Sequence, residues 1–410
     1  MEDRKCRFCD AALTVTCVDL GMTPLSNSYL HQGSLDKKES FYPLHAYVCG
    51  ECFLVQLEKF ESAEHIFSDY AYFSSYSDSW LEHMKQYVSE ITSDYELTSE
   101  SLVIEVASND GYLLQYFKEL NIPVLGVEPA ANVAKVAKEK GIETYVNFFG
   151  RKAASELASM GKQADLLIGN NVLAHVPDLH DFVEGMSLAL KPNGIITMEF
   201  PHLLRLMSEN QFDTIYHEHF SYFSLITVMK IFASKKLTVF DVQELPTHGG
   251  SIRIYAQHKE SGEHPVSSRV ENMLKKEESF GMYDLSRYTA FSENVKATKR
   301  AILEFFITAK NEGKTIVGYG APAKGNTLLN YCGVGMDFID YTVDRSPHKQ
   351  GLFLPGTRIP IYDPIKIAET KPDYILILPW NLKDEISKQM KHIYEWGGRF
   401  VVPVPEVEVF

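Results

Sequence analysis

No stretch of this 410-residue chain is apolar for long enough to span a bilayer, and no apolar run follows its charged start, Met1-Glu2-Asp3-Arg4-Lys5. Neither a membrane anchor nor a secretory leader is expected, and the cytoplasm is the expected setting. Cationic excess is also missing: 40 Lys and Arg stand against 54 Asp and Glu, a formal net charge of −14. That balance argues against broad binding to nucleic acid or an anionic membrane, but leaves room for a local basic pocket. Cysteine is scarce, with six in all, as suits a compartment where thiols stay reduced. The first strand–turn–helix unit lacks the dinucleotide signature G-x-G-x-x-G, and no P-loop occurs anywhere. The length itself exceeds what one core usually holds, so two or three domains are expected.

Four of the cysteines form two knuckles, Cys6-Arg7-Phe8-Cys9 and Cys49-Gly50-Glu51-Cys52. Two C-x-x-C pairs across a moderate insert are a zinc signal, because each presents two thiolates to a tetrahedral ion. Four sulfur ligands close the coordination shell, so this zinc is expected to be structural. A redox pair is the alternative, but one knuckle would suffice for it. Cys17 and Cys332 read as packing residues. Within the insert, Thr23-Pro24-Leu25-Ser26-Asn27-Ser28-Tyr29 is polar and lacks a helical period, and residues 42–48 alternate like a strand. Residues 69–77 concentrate three tyrosines and three serines, as either an amphipathic linker or a lid with phenol donors.

A helical pattern over residues 80–95 precedes the first buried parallel strand, residues 101–107. Ser108-Asn109-Asp110-Gly111 is a turn, a helix opens at Tyr112, and a second short strand ends in Glu128-Pro129. This layout binds an adenosine-like ligand: the acid takes the ribose hydroxyls, and the backbone comes close at the turn. The turn from Glu105 through Ala107 and Asn109 to Gly111 carries two acids, Glu105 and Asp110. They would repel a pyrophosphate but not a sulfonium with an amino-acid tail, which favours S-adenosylmethionine as cofactor.

Residues 164–171 form a strand ending in Asn170 and Asn171, at the edge where cofactor and substrate meet in such sheets. His175 follows, as a second acid or base or as a helix cap. Leu190-Lys191-Pro192-Asn193-Gly194 reads as a turn before the next strand, which carries Glu199 and His202. Then comes Tyr216-His217-Glu218-His219-Phe220, four hydrogen-bonding or ionisable side chains in a row. Histidine exchanges protons near neutral pH, a neighbouring carboxylate tunes it, and a phenol donates to a developing oxyanion. The cluster reads as a proton-abstraction site; a surface loop or satisfied core histidines are the plain alternative. An antiparallel pair follows, joined by His248-Gly249-Gly250-Ser251 and carrying Arg253; the joint is a hairpin that can also touch substrate.

Residues 258–313 are charged, helical and read as a connector. A second α/β unit then begins at Lys314. Its turn, Gly318-Tyr319-Gly320-Ala321-Pro322-Ala323-Lys324-Gly325-Asn326, has three glycines and a lysine and no acid, which suits a phosphate or pyrophosphate. The next strand ends in Asp344, and Arg345-Ser346-Pro347-His348-Lys349-Gln350-Gly351 adds donors. A degenerate nucleotide fold kept for packing is the alternative.

The order of these motifs resembles the S-adenosylmethionine-dependent sugar C-methyltransferases of deoxysugar pathways, which act on dTDP-linked 4-keto sugars. The resemblance spans the paired knuckles, E-V-A-S-N-D-G, N-N-V-L-A-H-V, Y-H-E-H-F-S-Y-F, H-G-G-S-x-R, G-Y-G-A-P-A-K-G-N and V-D-R-S-P-x-K-Q-G. It implies an α/β protein with a small N-terminal zinc-binding module, a central Rossmann-like class I methyltransferase domain and a C-terminal Rossmann-like domain. The expected bounds are residues 1–75 for the module and lid, 76–260 for the methyltransferase, and 261–410 for the connector and nucleotide-sugar domain. It further implies His219 as general base, assisted by Tyr216, Glu218 and His175, with Tyr70 reaching the cofactor from the lid. Cofactor contacts are expected from Glu105, Ala107, Asn109, Gly111, Glu128, Pro129, Asn170 and Asn171. Substrate contacts are expected from Tyr76, Glu199, His202, His248, Arg253, Lys324, Asn326, Asp344, Lys349 and Gln350. The expected reaction removes the proton on sugar carbon 3, next to the 4-ketone, and methylates that carbon. A monomer is expected.

Competing readings are a nicotinamide-dependent oxidoreductase using the C-terminal glycine turn, and a non-enzymatic zinc adaptor. A metal site at His217 and His219 is a further alternative.

Overall fold

The computed structural model describes residues 4–62 and 74–410. Its strands fall into three sheets. The N-terminal sheet is antiparallel and opens with β1 (Val15–Thr23), β2 (Tyr42–Val48) and β3 (Val55–Leu57). Its fourth strand comes from far along the chain: Ser221–Tyr222 pairs with β3 at Val55↔Tyr222 and Gln56↔Ser221. The residues directly after the Tyr216–Phe220 cluster thus complete the sheet of the cysteine module.

The central sheet holds β4 (Val103–Val106), β5 (Val124–Val127), β6 (Thr144–Tyr145), β7 (Ala164–Asn170) and β8 (Leu190–Pro201), all parallel. After β9 (Ser221–Tyr222) the chain returns to it with β10 (Leu237–Leu245) and β11 (Ser251–His258). The order is β10-β11-β8-β7-β4-β5-β6, with β11 antiparallel to both its neighbours. This is the class I methyltransferase arrangement expected above. Central strands such as β4 are buried at every position, which is why they read as unbroken apolar runs. The expected turn over residues 190–194 lies instead within β8. Leu190 pairs with Ala164 and Ile195 with Leu166, so the residues between them form an irregularity in the strand.

The third sheet is β14-β13-β12-β15-β16-β17, built from β12 (Ile316–Tyr319), β13 (Thr342–Val343), β14 (Ile361–Tyr362), β15 (Tyr374–Ile377), β16 (Arg399–Val402) and β17 (Glu408–Val409). All are parallel except β17. The charged stretch before it forms two helices, Ser268–Phe280 and Leu285–Asn311. The longer one buries Tyr288, Phe291, Val295, Thr298, Ile302, Phe306 and Ala309, a stripe at steps of three and four. It packs along β1, and one apolar core runs from β1 and β2 through this helix into the third sheet. Cys17 and Cys332 are both buried in that core. Among the described residues, no helix is long and apolar enough to cross a membrane.

Candidate active site

The cluster is a tight turn. His219 N donates to Tyr216 O at 2.9 Å, which brings the side chains of residues 216 and 219 side by side. The Tyr216 hydroxyl lies 2.8 Å from His219 Nε2, and His219 Nδ1 lies 3.0 Å from the carbonyl of Thr214. A carbonyl can only accept, so the ring proton sits on Nδ1 and Nε2 carries the lone pair. His175 packs edge-on against this ring, with centroids 4.8 Å apart, and its Nδ1 donates to Glu218 O at 2.8 Å. Burial, and then the neighbouring His175, hold the His219 imidazolium well below the usual histidine range. Burial likewise pushes His175 down to about 4. Both rings are therefore neutral at physiological pH. Phe220 N donates to Ala174 O at 2.7 Å, tying the two histidine-bearing segments together.

The other two cluster members face different partners. Glu218 is buried, with both oxygens 2.8 Å from Asn27 Nδ2, and burial raises its carboxyl to about 7 against the opposing effects of Asn27 and Lys349. His217 is buried, reaches Pro43 O at 3.2 Å and sits edge-on to Tyr42. It thus packs against the N-terminal sheet.

At the carboxyl edge of the central sheet, the backbone adopts left-handed conformations at Ala107 (φ +57°), Asn109 (φ +49°), Gly111 (φ +76°) and Asn171 (φ +53°). Non-glycine residues hold that region only where the surroundings impose it, and such positions gather at ligand sites. Glu105 is fully buried, and neither of its oxygens has a hydrogen-bond partner among the described residues. Burial raises its carboxyl well above the usual carboxylate range. Asp110 Oδ1 is also without a partner, while Lys140 approaches Oδ2 at 3.3 Å. Glu128, at the end of β5, accepts from Asn109 N at 2.9 Å and Ala130 N at 2.8 Å, and Pro129 follows it. Buried acids without donors are what a cationic amino-acid tail would satisfy, so this edge fits S-adenosylmethionine. Asn170 closes β7 beside it. Tyr70 lies outside the described residues, as does the side chain of Tyr76.

The glycine-rich turn of the third sheet comes to the same place. Lys324 Nζ donates to Asn381 Oδ1 at 2.8 Å and lies over the Trp380 ring. The Trp380 indole donates to Asp213 Oδ2 at 2.7 Å, one residue before the carbonyl that holds His219. Burial raises Asp213 to about 6 against the opposing charge of Lys324. Asn326 Nδ2 donates to Ser26 O at 2.6 Å, and Thr327 Oγ1 to Ile215 O at 3.0 Å. Asp344 accepts from Ala321 N at 2.8 Å, with Lys349 at 3.7 Å and the Gln350 amide on its carbonyl at 2.9 Å. The polar segment around Asn27 is wedged between this turn and Glu218, and the Tyr29 hydroxyl donates to Ala321 O.

Three family models match the sequence: the "C-methyltransferase C-terminal domain" over residues 246–405, the "Putative zinc binding domain" over residues 6–67 and the "Methyltransferase domain" over residues 80–239. C-methyltransferase NovU of Streptomyces niveus is 38% identical over 405 residues, covering 99% of this chain and 96% of its own. The chain belongs to the C-methyltransferase family. A ubiquinone biosynthesis O-methyltransferase of Chelativorans sp. (strain BNC1) matches at 26% identity over 95 residues, 23% of this chain and 38% of that one. Among solved structures, the magnesium protoporphyrin IX methyltransferase ChlM of Synechocystis PCC 6803 with bound SAM aligns at 14% identity. It covers 43% of this chain and 78% of that one with a TM-score of 0.33, too low to carry an argument. The protein is an S-adenosylmethionine-dependent C-methyltransferase. The oxidoreductase reading finds no support in these matches.

In this C-methyltransferase the four knuckle thiols gather as expected. Cys6 Sγ lies 3.5 Å from Cys52 Sγ and Cys9 Sγ 3.5 Å from Cys49 Sγ, and all four sulfurs fall within 4.8 Å of one another. A four-thiolate set of that size suits a tetrahedral zinc with no open position. Among the described residues no comparable cluster includes His217 or His219.

Three further residues read as substrate contacts, Glu199, Arg253 and His202, also meet protein partners. Glu199 is fully buried and receives Arg253 Nη2 at 2.6 Å, His83 Nε2 at 3.0 Å and Thr247 Oγ1 at 2.8 Å. Burial alone would raise its carboxyl, but His83 and Arg253 outweigh that and hold it near 2. His202 is buried against Glu277 at 2.6 Å, and Glu277 also caps the helix Leu225–Ala233 through Leu225 N and Ile226 N. His248 meets the carboxyl edge of the central sheet: its Nε2 lies 3.0 Å from Asn171 Nδ2, and its backbone is left-handed at φ +54°.

Sequence reading did not single out Thr214, Asp213, Trp380, Asn381 or Asn27. Asn27 lay in a segment already marked as polar and aperiodic. Trp380 and Asn381 closed an apolar run over residues 374–381 that reads as a buried strand ending at a ligand-type edge; Asp213 and Thr214 carried no signal, because their partners are brought to them by the fold.

Proposed function

We propose that this C-methyltransferase methylates carbon 3 of a dTDP-linked 4-keto-deoxysugar, with His219 as the general base. The observation that carries this reading is the hydrogen bonding of His219. Its Nδ1 proton is committed to Thr214, which leaves a neutral ring with a basic Nε2 beside a phenol. A ketone acidifies the hydrogen on the adjacent carbon, and a placed base for it contributes roughly a hundred- to ten-thousandfold. His219 Nε2 takes that proton and holds it, with the positive ring steadied by the Thr214 carbonyl. The Tyr216 hydroxyl, released from Nε2, donates to the oxygen on which charge develops. His175, whose own proton is on Glu218 O, stands beside the base as a second acceptor. Glu218 fixes the turn through Asn27.

When bound, S-adenosylmethionine supplies an electrophilic methyl group. Glu105, Ala107, Asn109, Gly111, Glu128, Pro129, Asn170 and Asn171 would hold it, with Tyr70 on the lid side, while Tyr76 would serve the substrate. Lys324, Asn326, Asp344, Lys349 and Gln350 would serve the nucleotide end of the sugar, and His248 its reacting end. Glu199, Arg253 and His202 are better read as residues that fix this frame. The three functional regions are residues 1–75, 76–260 and 261–410, acting together in a cytoplasmic monomer.

The test is methyl transfer from S-adenosylmethionine to dTDP-4-keto-deoxysugars, the same sugars freed of nucleotide, and a reduced 4-hydroxy analogue. Only the intact nucleotide ketones should gain a carbon-bound methyl. Equal turnover of the 4-hydroxy analogue would overturn the ketone-based mechanism.

A further inference from the structure

Arg7 stands between two zinc ligands, Cys6 and Cys9, yet its side chain points toward the base loop. Nη1 donates to Phe220 O at 2.5 Å and lies 3.2 Å from Ser221 Oγ, and Nη2 donates to Leu57 O at 2.9 Å. One planar fork therefore bridges the end of β3 and the start of β9, directly after His219. The guanidinium also lies over the Phe220 ring, and its Nε is buried without a partner. The same knuckle grips the His175 side. Phe8 O receives His180 Nε2 at 2.7 Å, and the two rings stack. Phe220 N on Ala174 O closes the circuit between the two histidine segments.

All three oxygens that the Arg7 side chain meets among the described residues are neutral. A buried cation needs a counter-charge. Four thiolates on a divalent zinc form a net dianion, and Arg7 is the residue next to one of them.

We propose that Arg7 is a positioning residue through which the zinc site fixes the loop that carries His219. The metal then contributes more than the stability of a small module: it sets the aim of a base on a different sheet. The effect on rate rests on the reading of His219 as the base, whereas the effect on the loop does not.

The experiment uses the full-length protein with Arg7→Gln, zinc content measured directly, and hydrogen exchange followed at the His219 and Phe220 amides. Zinc should stay bound while both amides exchange at least about tenfold faster. The turnover number should fall about ten- to a hundredfold with the KM for the methyl donor unchanged, the scale expected when a catalytic group is misplaced by about an ångström. Arg7→Lys, which keeps the charge but not the fork, should fall between. Wild-type exchange and wild-type turnover in zinc-loaded Arg7→Gln would overturn the proposal. Should that variant lose zinc or fail to fold, Arg7→Lys is read the same way, and wild-type behaviour there overturns it. A loosened loop together with a fully active His219→Gln variant would sink the base reading and leave the tether standing. A tight loop with inactive His219→Gln would do the reverse.

Discussion

His219 owes its basic nitrogen to a carbonyl. Because Thr214 O can only accept, the ring tautomer is set by the backbone, and the two histidines stay neutral through burial rather than through a carboxylate partner. Glu218 is not that partner; it turns to Asn27, 191 residues away in sequence. Its burial has a stability consequence. An ordinary glutamate titrates near 4.3, and Glu218 in the fold near 7. The folded state therefore holds the proton more tightly than the unfolded one, and the associated stability is lost as pH rises through about 7. Glu218→Gln cannot titrate. In urea unfolding, it should gain stability relative to wild type between pH 4.5 and pH 8. An unchanged difference between the two proteins across that range would contradict the buried, proton-holding carboxyl.

At the scale of elements, the strands, turns and helices of both α/β units were readable because apolar runs broken by turn residues leave a local trace. The acidic turn at Glu105–Gly111 and the basic turn at Lys324 differ in charge, and that difference gave them different expected ligands. What could not be read was pairing at a distance. β9 is two residues long, and nothing local says that it joins a sheet begun by β1. The irregular start of β8, where a turn was expected, is likewise set by its neighbour β7. Gly249 shows how such contacts constrain an element. Its φ is +92°, and an added Cβ would lie 2.5 Å from Trp380 Cη2 and 2.9 Å from Gln211 Nε2. Gly262 has a similar left-handed backbone (φ +60°) with nothing within 4 Å. Both alanine variants strain the backbone, but only Gly249→Ala must also push the third sheet away from the hairpin. Thermal and urea unfolding should show Gly249→Ala less stable than Gly262→Ala by about 1–3 kcal/mol. Equal stability would mean that the turn and Trp380 separate without cost.

At the scale of the molecule, three sheets meet at one short turn. The N-terminal sheet takes in β9, the central sheet supplies Ala174 and His175, and the third sheet brings Trp380 and Lys324 up to Asp213. The zinc module and the methyl-donor domain were legible in the sequence, as was the glycine-rich turn of the third sheet; their convergence on residues 213–221 was not, since contacts such as Asn27 to Glu218 or Trp380 to Asp213 join residues more than 160 positions apart. The central claim is that this convergence makes His219 Nε2 the base that deprotonates the carbon beside a ketone. The most direct measurement is exchange of that hydrogen with deuterated solvent in a dTDP-4-keto-deoxysugar, with methyl transfer withheld, comparing wild type with folded His219→Gln. Wild type should exchange it and the variant should be slower by about a hundred- to ten-thousandfold; exchange in the variant within a few-fold of wild type would contradict the account.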